Sequence, residues 1–189
     1  MPSTHNPNRT SLFETHQGLG ARIVDFAGWE MPIQYEGILS EVNQVRSNAG
    51  LFDVSHMGRL EIEGPDAAAL LNRVLSVNVL KLRQGRARYN VICDESGGII
   101  DDCIIYRRGD EKFLLIPNAA NTPPVVDWLD RWTPDDARMT LKNVTSRSAM
   151  IACQGPKSVE YLQNLTETDL SSVRPFRAID AQVSGHDAF

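Results

Sequence analysis

The sequence has little of what secreted, membrane-spanning or nucleic-acid-binding proteins usually carry. It contains three cysteines in 189 residues, and no Cys-X-X-Cys pair occurs among them, which argues against a disulfide framework and favours reduced thiols in a cytoplasmic protein. No apolar run approaches the ~18 residues that a membrane-spanning helix requires. The start of the chain is polar and lacks the apolar stretch of a secretory signal.

Two further kinds of site are disfavoured by composition and spacing. Nineteen basic residues against 24 acidic ones leave a net charge of −5, without the basic surplus that nucleic-acid binding requires. The four histidines and three cysteines show no metal-ligand spacing, so we expect no metal site.

What the sequence does contain is an ordinary globular composition, with 42% hydrophobic and 23% charged residues. Between residues 59 and 147, helix and strand patterns alternate, and three strand patterns follow one another across polar turns, which is typical of an antiparallel meander. We therefore predict an α+β fold in which helices pack on one face of an antiparallel sheet, as a ferredoxin-like middle unit. The flanking residues, 1–58 and 148–189, are then expected to form a second, partial and β-rich lobe together.

Two adjacent carboxylates interrupt an otherwise apolar strand pattern at residues 99–106. Because side chains alternate between the two faces of a strand, Asp102 shares a face with Ile104 and Tyr106, whereas Asp101 lies on the other face. A carboxylate among apolar neighbours has to be paired, hydrogen-bonded or protonated, since burying it bare is costly. One interpretation is therefore an acid or base with a shifted pKa, or an anchor for a ligand rich in N–H groups.

The other interpretation gives these aspartates no function. Both would lie at the exposed start of the strand and accept hydrogen bonds from the turn at Gly97. Other polar motifs are equally open: the amides of Asn118 and Asn121 could bond a planar heterocycle or cap the helix that follows. Asp53 and His56 flank a serine, but no Gly-X-Ser-X-Gly motif occurs, so we expect them to bond the backbone of a tight connection rather than form a triad.

Six short motifs stand in order along nearly the whole chain. They are residues 12–16 (LFETH), 20–32 (GARIVDFAGWEMP), 50–58 (GLFDVSHMG), 97–102 (GGIIDD), 118–121 (NAAN) and 154–156 (QGP). In this combination they resemble the aminomethyltransferase of the glycine cleavage system, the T-protein. Such enzymes take the aminomethyl group carried on the lipoyl arm of the H-protein, release ammonia and pass the one-carbon unit to tetrahydrofolate. The resemblance thus implies a transferase with tetrahydrofolate as acceptor and lipoylated H-protein as partner.

The resemblance also implies which residues form the site. Asp102, the second aspartate of the Gly-Gly-Ile-Ile-Asp-Asp motif, matches the family's acid near the reacting nitrogens of the folate. Its expected role is to steer the folate and the proton as the N5 amine attacks the methylene carbon. Met57, Tyr89 and Asn118 match family positions that line the folate cleft. Ile104 and Tyr106, which share the strand face of Asp102, complete the expected site.

The chain differs from this family in length. Family members continue past the position of Phe189 into a further motif, the rest of the folate cleft and a C-terminal barrel-like domain. We therefore expect this sequence to hold only the N-terminal half, as if truncated, without the C-terminal barrel domain, and the activity of the chain alone stays open. The alternative to an aminomethyltransferase is a non-catalytic fragment that binds folate or a partner.

Overall fold

The computed structural model describes residues 7–189, whose helices and strands divide between two units. One unit is formed by the described part of Met1–His56 with Ser146–Leu170, and the larger one by Met57–Thr145 with Ser171–Phe189. The strands are β1 Asn8–Arg9, β2 Arg22–Phe26, β3 Trp29–Gln34, β4 Gly50–Asp53, β5 Leu60–Glu63, β6 Arg86–Cys93, β7 Ile99–Arg107, β8 Lys112–Ile116, β9 Thr140–Asn143, β10 Ile151–Gln154, β11 Ala181–Val183 and β12 His186–Ala188. The helices are α1 Phe13–Gly18, α2 Ile38–Ser47, α3 Ala67–Val74, α4 Thr122–Trp132 and α5 Ser158–Gln163. None of them, within residues 7–189, has the length and apolar character to cross a membrane.

The larger unit is built on a five-stranded sheet in the order β6-β7-β8-β5-β9. Every neighbouring pair in it is antiparallel. Strands β6, β7 and β8 form the predicted meander, and β5 lies between β8 and β9. The arrangement is that of a ferredoxin-like unit with one additional strand in the meander. Because each strand of a meander reverses the direction of the chain, the additional strand makes the β5–β8 pair antiparallel.

One face of this sheet carries the hydrophobic core. Leu60 and Ile62 of β5 lie opposite Leu115 and Phe113 of β8, and all four side chains are essentially inaccessible to solvent. They pack against five apolar residues of α3 and α4, namely Leu70, Leu71, Val74, Val125 and Leu129. Burying an aliphatic or aromatic side chain of this kind contributes about 1.5–3 kcal/mol. The predicted antiparallel sheet with helices on one face is therefore confirmed.

The smaller unit contains the three-stranded sheet β1-β3-β2 and the antiparallel pair β4–β10. The β4–β10 pair joins two segments that are distant in sequence, with Gly50 opposite Gln154 and Asp53 opposite Ile151. Gly155 follows β10 with a φ of +121°, and a Cβ there would lie 2.5 Å from the carbonyl oxygen of Asn48. Glycine is therefore required where the chain passes the end of α2.

The structure differs from the sequence prediction for the last residues of the chain. The prediction grouped 148–189 with 1–58, whereas Ser171–Phe189 belongs to the larger unit. The N–H of Ala87 donates to the carbonyl of Phe176 at 2.9 Å, and the N–H of Ala178 donates to that of Gly85 at 3.0 Å. These bonds lie along β6, the edge strand of the sheet, whose outward backbone groups need partners.

Candidate functional site

Strand β7 sends its two aspartates to opposite faces of the sheet. Asp101 lies on the face that α3 and α4 cover and is only 2% exposed. Asp102 lies on the opposite face and is exposed, and its strand neighbours Ile104 and Tyr106 on that face are half-buried. The two carboxylates are thus in different environments: one sits at the margin of the core and the other on an accessible sheet surface.

Asp102 is held by one side chain from the neighbouring strand β6 and one from the segment between β8 and α4. The hydroxyl of Tyr89 donates a hydrogen bond to one carboxylate oxygen. Tyr89 pairs with Ile104 and Val91 pairs with Asp102, so Tyr89 is the diagonal neighbour of Asp102. The Nδ2 of Asn118 donates to the other oxygen at 3.1 Å and to the main-chain carbonyl of Asp102 at 2.9 Å.

This group of three side chains can bind a ligand and handle a proton. The hydrogen bond to Asp102, followed by desolvation and by nearby negative charge, raises the pKa of Tyr89, so the phenol remains a donor at neutral pH. Tyr89 is 57% exposed, which leaves the group open to a molecule from solvent. An ionised carboxylate has about four acceptor sites. Asp102 therefore retains capacity to accept N–H bonds from a heterocycle.

Asp101 accepts hydrogen bonds from the segment that connects β8 to α4. One oxygen accepts from the main-chain N–H of Asn118 at 2.9 Å. The other accepts from Nδ2 of Asn118 at 2.9 Å and from Nδ2 of Asn121 at 2.6 Å. The two asparagines that the sequence left open between ligand binding and helix capping thus bond this buried carboxylate.

The interpretation that both aspartates bind the turn at Gly97 is wrong, because Asp94 occupies that position. Its Oδ1 accepts from the main-chain N–H groups of Ser96 and Gly98, each at 2.8 Å, and from the Ser96 hydroxyl at 2.7 Å. The bond from the Ser96 side chain, followed by those from the two main-chain groups, holds the pKa of Asp94 below its usual value.

The remaining expected site residues also belong to the larger unit. Met57 precedes Gly58, whose N–H donates to the carbonyl of Pro117 at 2.9 Å, so Met57 lies beside the segment that leads to Asn118. A Cβ on Gly58 would lie 2.3 Å from a hydroxyl of α4, which makes glycine necessary for this approach. The ring of Tyr106 meets that of Phe189 edge to face, with centroids 5.5 Å apart. Hydrogen bonds therefore join three of the six expected residues, and the other three lie on the same strand face or the adjoining segment.

Sequence reasoning missed a buried polar network in the smaller unit. Asp53 accepts from Ser55 N–H at 2.9 Å, as expected for a tight connection, and also from the hydroxyl of Thr10 at 2.6 Å. Nε2 of His16 is 2.9 Å from the same carboxylate, and Nδ1 of His16 is 2.8 Å from the hydroxyl of Tyr35. Nothing in residue spacing could reveal this network, because its members come from separate elements.

The network shifts the acidity of both its ends. Burial opposes the ionisation of Asp53, but hydrogen bonds from Ser55, Thr10 and His16 together outweigh it and hold the pKa of Asp53 below its usual value. Desolvation, followed by the charges of Asp53 and Glu41, raises the pKa of Tyr35.

Neither a metal cluster nor a disulfide is formed by the described residues. Within residues 7–189, no three histidine, cysteine or carboxylate side chains come together as a metal ion would need. All three cysteines are free. Desolvation, followed by the charges of Asp101 and Asp102, raises the pKa of the buried Cys103 thiol to about 12.

The sequence is similar to one family of known proteins. The GCVT N-terminal domain matches residues 12–189. The chain is 45% identical over 169 residues to the aminomethyltransferase of Shouchella clausii and 47% identical over 180 residues to that of Rubrobacter xylanophilus. These matches cover 89% and 95% of the chain, but 46% and 48% of the relatives. The chain therefore spans about half the length of the curated relatives it matches.

Solved structures show the same fold. The glycine cleavage system aminomethyltransferase T from Bartonella henselae superimposes with a TM-score of 0.86 and 31% sequence identity, over 93% of this chain and 48% of that one. A heterotetrameric sarcosine oxidase from Corynebacterium sp. U-96 matches with a TM-score of 0.57 and 15% identity, over 78% of this chain. At that identity the second likeness concerns the fold alone.

Proposed function

We propose, since the chain belongs to the GCVT N-terminal domain family, that it supplies the N-terminal part of the folate site of a glycine cleavage aminomethyltransferase. The proposed reaction passes the one-carbon unit of a lipoyl-bound aminomethyl group to tetrahydrofolate and releases ammonia. Lipoylated H-protein is the proposed partner. The free cysteines suit a reducing compartment, and a cytoplasmic location belongs to the same proposal.

The observation that carries this proposal is the Asp102 group on the accessible face of the sheet. Asp102 is ionisable, exposed and fixed from two sides by Tyr89 and Asn118. A carboxylate with free acceptor capacity can bond the N–H groups of a reduced pterin and hold N5 in place. Transfer breaks the bonds of the methylene carbon to its amine, which leaves as ammonia, and to the lipoyl sulfur, which leaves as the thiol, and replaces them by bonds to two folate nitrogens. As the N5 lone pair forms the first of these bonds, the amine proton becomes acidic, and Asp102 is placed to accept it.

The other expected residues give the ring a surface on which to lie. Ile104 and Tyr106 extend from Asp102 along the same face of β7 and are half-buried, so their apolar surface remains partly accessible. Planar heterocycles bind in sites that are mainly apolar with a few placed polar groups. Met57, beside the segment that leads to Asn118, is proposed to border the ring at the end of β8.

A non-catalytic folate-binding fragment is the other candidate function. Nothing in the geometry favours it over the enzyme, and the curated relatives described above are aminomethyltransferases. The two candidates differ in one respect that can be measured: only the enzyme requires the charge of Asp102 for group transfer.

The test is Asp102→Asn in a version extended to the length of the relatives, assayed for transfer from aminomethylated H-protein to tetrahydrofolate. General acid–base groups typically contribute ~100- to 10,000-fold, and we expect a loss in that range. The fold should be unchanged because the side chain is exposed. Asp127→Asn is the matched control, since Asp127 is an exposed aspartate on α4. Turnover of Asp102→Asn within about twofold of wild type would remove Asp102 from the mechanism.

A further inference from the structure

Asp101 is a buried carboxylate of the larger unit, and both of its oxygens accept hydrogen bonds, although it does not reach the accessible face. Its side chain lies at the covered face of the sheet with 2% exposure and accepts three N–H bonds from Asn118 and Asn121. A buried charge is costly unless its acceptor sites are filled, and here they are filled by one short segment between β8 and α4.

Asn118 connects the two aspartates. Its Nδ2 lies 2.9 Å from an oxygen of Asp101 and 3.1 Å from an oxygen of Asp102. A side-chain amide has two N–H protons, so it can donate one to Asp101 and share the other between the carboxylate of Asp102 and the main-chain carbonyl of Asp102, which lies 2.9 Å from the same nitrogen. Because an ionised carboxylate only accepts, Asp101 decides which way the Asn118 amide is turned and leaves the second proton for Asp102.

We propose that Asp101 is a positioning residue for the site: through Asn118 it holds Asp102 in the orientation in which Asp102 pairs with Tyr89. The inference rests on the proposed function only in that Asp102 is the acid of that function. Adjacent aspartates on one strand thus have separate tasks, one buried and orienting, the other exposed and meeting the ligand.

Anchoring the start of α4 does not by itself explain the charge of Asp101. That start is already closed by other bonds: the hydroxyl of Thr122 donates to the Asn118 carbonyl at 2.9 Å, and the N–H of Val125 donates to the Asn121 carbonyl at 2.9 Å. An asparagine at position 101 could keep the oxygen that accepts from the Nδ2 groups of Asn118 and Asn121, but its own amide would then face the main-chain N–H of Asn118. Only the carboxylate accepts all three bonds at once.

The test uses the chain without folate and follows the pKa of Tyr89 by carbon NMR of tyrosine labelled at Cζ, with Tyr89 assigned from Tyr89→Phe. Tyr89 has a raised pKa because Asp102 is held against it. If Asp101 acts through Asn118, Asp101→Asn should lower this pKa by roughly 0.5 to 1, because the released carboxylate and phenol become separately hydrated.

Three comparisons separate positioning from charge and from folding. Asn118→Ala keeps the Asp101 charge, so it should lower the Tyr89 pKa as much as Asp101→Asn does, and the double variant should add nothing further. Asn121→Ala removes another Asp101 contact that does not touch Asp102, and it should leave the Tyr89 pKa unchanged. Asp101→Ser is the second variant at the same position and is expected to behave as Asp101→Asn does.

The outcomes that overturn the proposal are equally definite. An unchanged or higher Tyr89 pKa in Asn118→Ala, or additive effects in the double variant, would mean that Asp101 acts on Tyr89 only through its charge. Loss of the folded state in both Asp101→Asn and Asp101→Ser would assign Asp101 to folding alone. These results are independent of the transfer assay, so failure of the Asp102→Asn test would refute the proposed function without bearing on the positioning.

Discussion

Replacing Asp53 by asparagine tests the buried network of the smaller unit. The Asp53 side chain is 1% exposed, and one of its oxygens accepts from both Thr10 and His16. Asparagine retains an oxygen for the N–H of Ser55 but puts an amide where that doubly accepting oxygen was. A hydrogen bond to a charged group contributes about 1.5–3 kcal/mol to stability, whereas a hydrogen bond between neutral groups contributes about 0.5–1.5 kcal/mol. With two bonds affected, we expect Asp53→Asn to destabilise the unit by about 2–3 kcal/mol.

The same network predicts a pH dependence with a definite sign. The pKa of Asp53 is lowered in the folded chain. The stability that ionised Asp53 contributes is therefore fully present above the ordinary carboxyl pKa of about 3.9, and it is lost as the pH falls through the lower pKa of the folded state. The stability difference between wild type and Asp53→Asn should therefore be constant above about pH 5 and should close below about pH 4.

The assay is urea unfolding followed by tryptophan fluorescence. Trp29 is in β3 of the smaller unit, whereas Trp128 and Trp132 are in α4 of the larger one, so a Trp128→Phe/Trp132→Phe background reports on the smaller unit. Glu14→Gln, at an exposed carboxylate in α1, is the control and should change stability by less than about 0.5 kcal/mol. A cost for Asp53→Asn below about 0.5 kcal/mol, or a difference that widens in acid, would refute the reasoning.

Two further predictions concern the larger unit and the cysteines. Leu71→Ala removes a fully buried side chain of α3 and should lower the free energy of unfolding by about 2–5 kcal/mol in denaturant titrations. Leu80→Ala, at a leucine that is 60% exposed, is the control and should change this free energy little. Equal losses of stability in the two variants would contradict the assigned core. Cys103, whose pKa is raised to about 12, should resist a thiol-specific reagent at pH 8 in the folded chain, so that only Cys93 and Cys153 react before unfolding. Mass spectrometry of the labelled peptides measures this, and labelling of Cys103 before unfolding would contradict the prediction.

Local patterns in the sequence were sufficient for the meander of the larger unit, but not for the position of β5 between β8 and β9. Strand alternation at β7 correctly separated Asp101 from the face of Asp102, Ile104 and Tyr106, because the period of two is a property of the extended backbone. The meander of β6, β7 and β8 was predictable for a related reason, since its strands are joined by short polar turns. The resemblance carried by the six motifs then pointed to the family that the comparisons show.

Contacts between distant residues were decided by the tertiary structure alone. Residues 176–178 bond to the free edge of β6 because an edge strand accepts an extended segment that reaches it. The short strands β11 and β12 that follow pair with each other, and strands of three residues leave no clear pattern in the sequence. In the same way, His16, Tyr35 and Asp53 meet only after three elements have packed. Sequence alone determined that two aspartates stand side by side and face opposite ways. Only the fold decided that one would be buried against Asn118 and the other exposed beside Tyr89, because burial depends on which elements cover each face of the sheet.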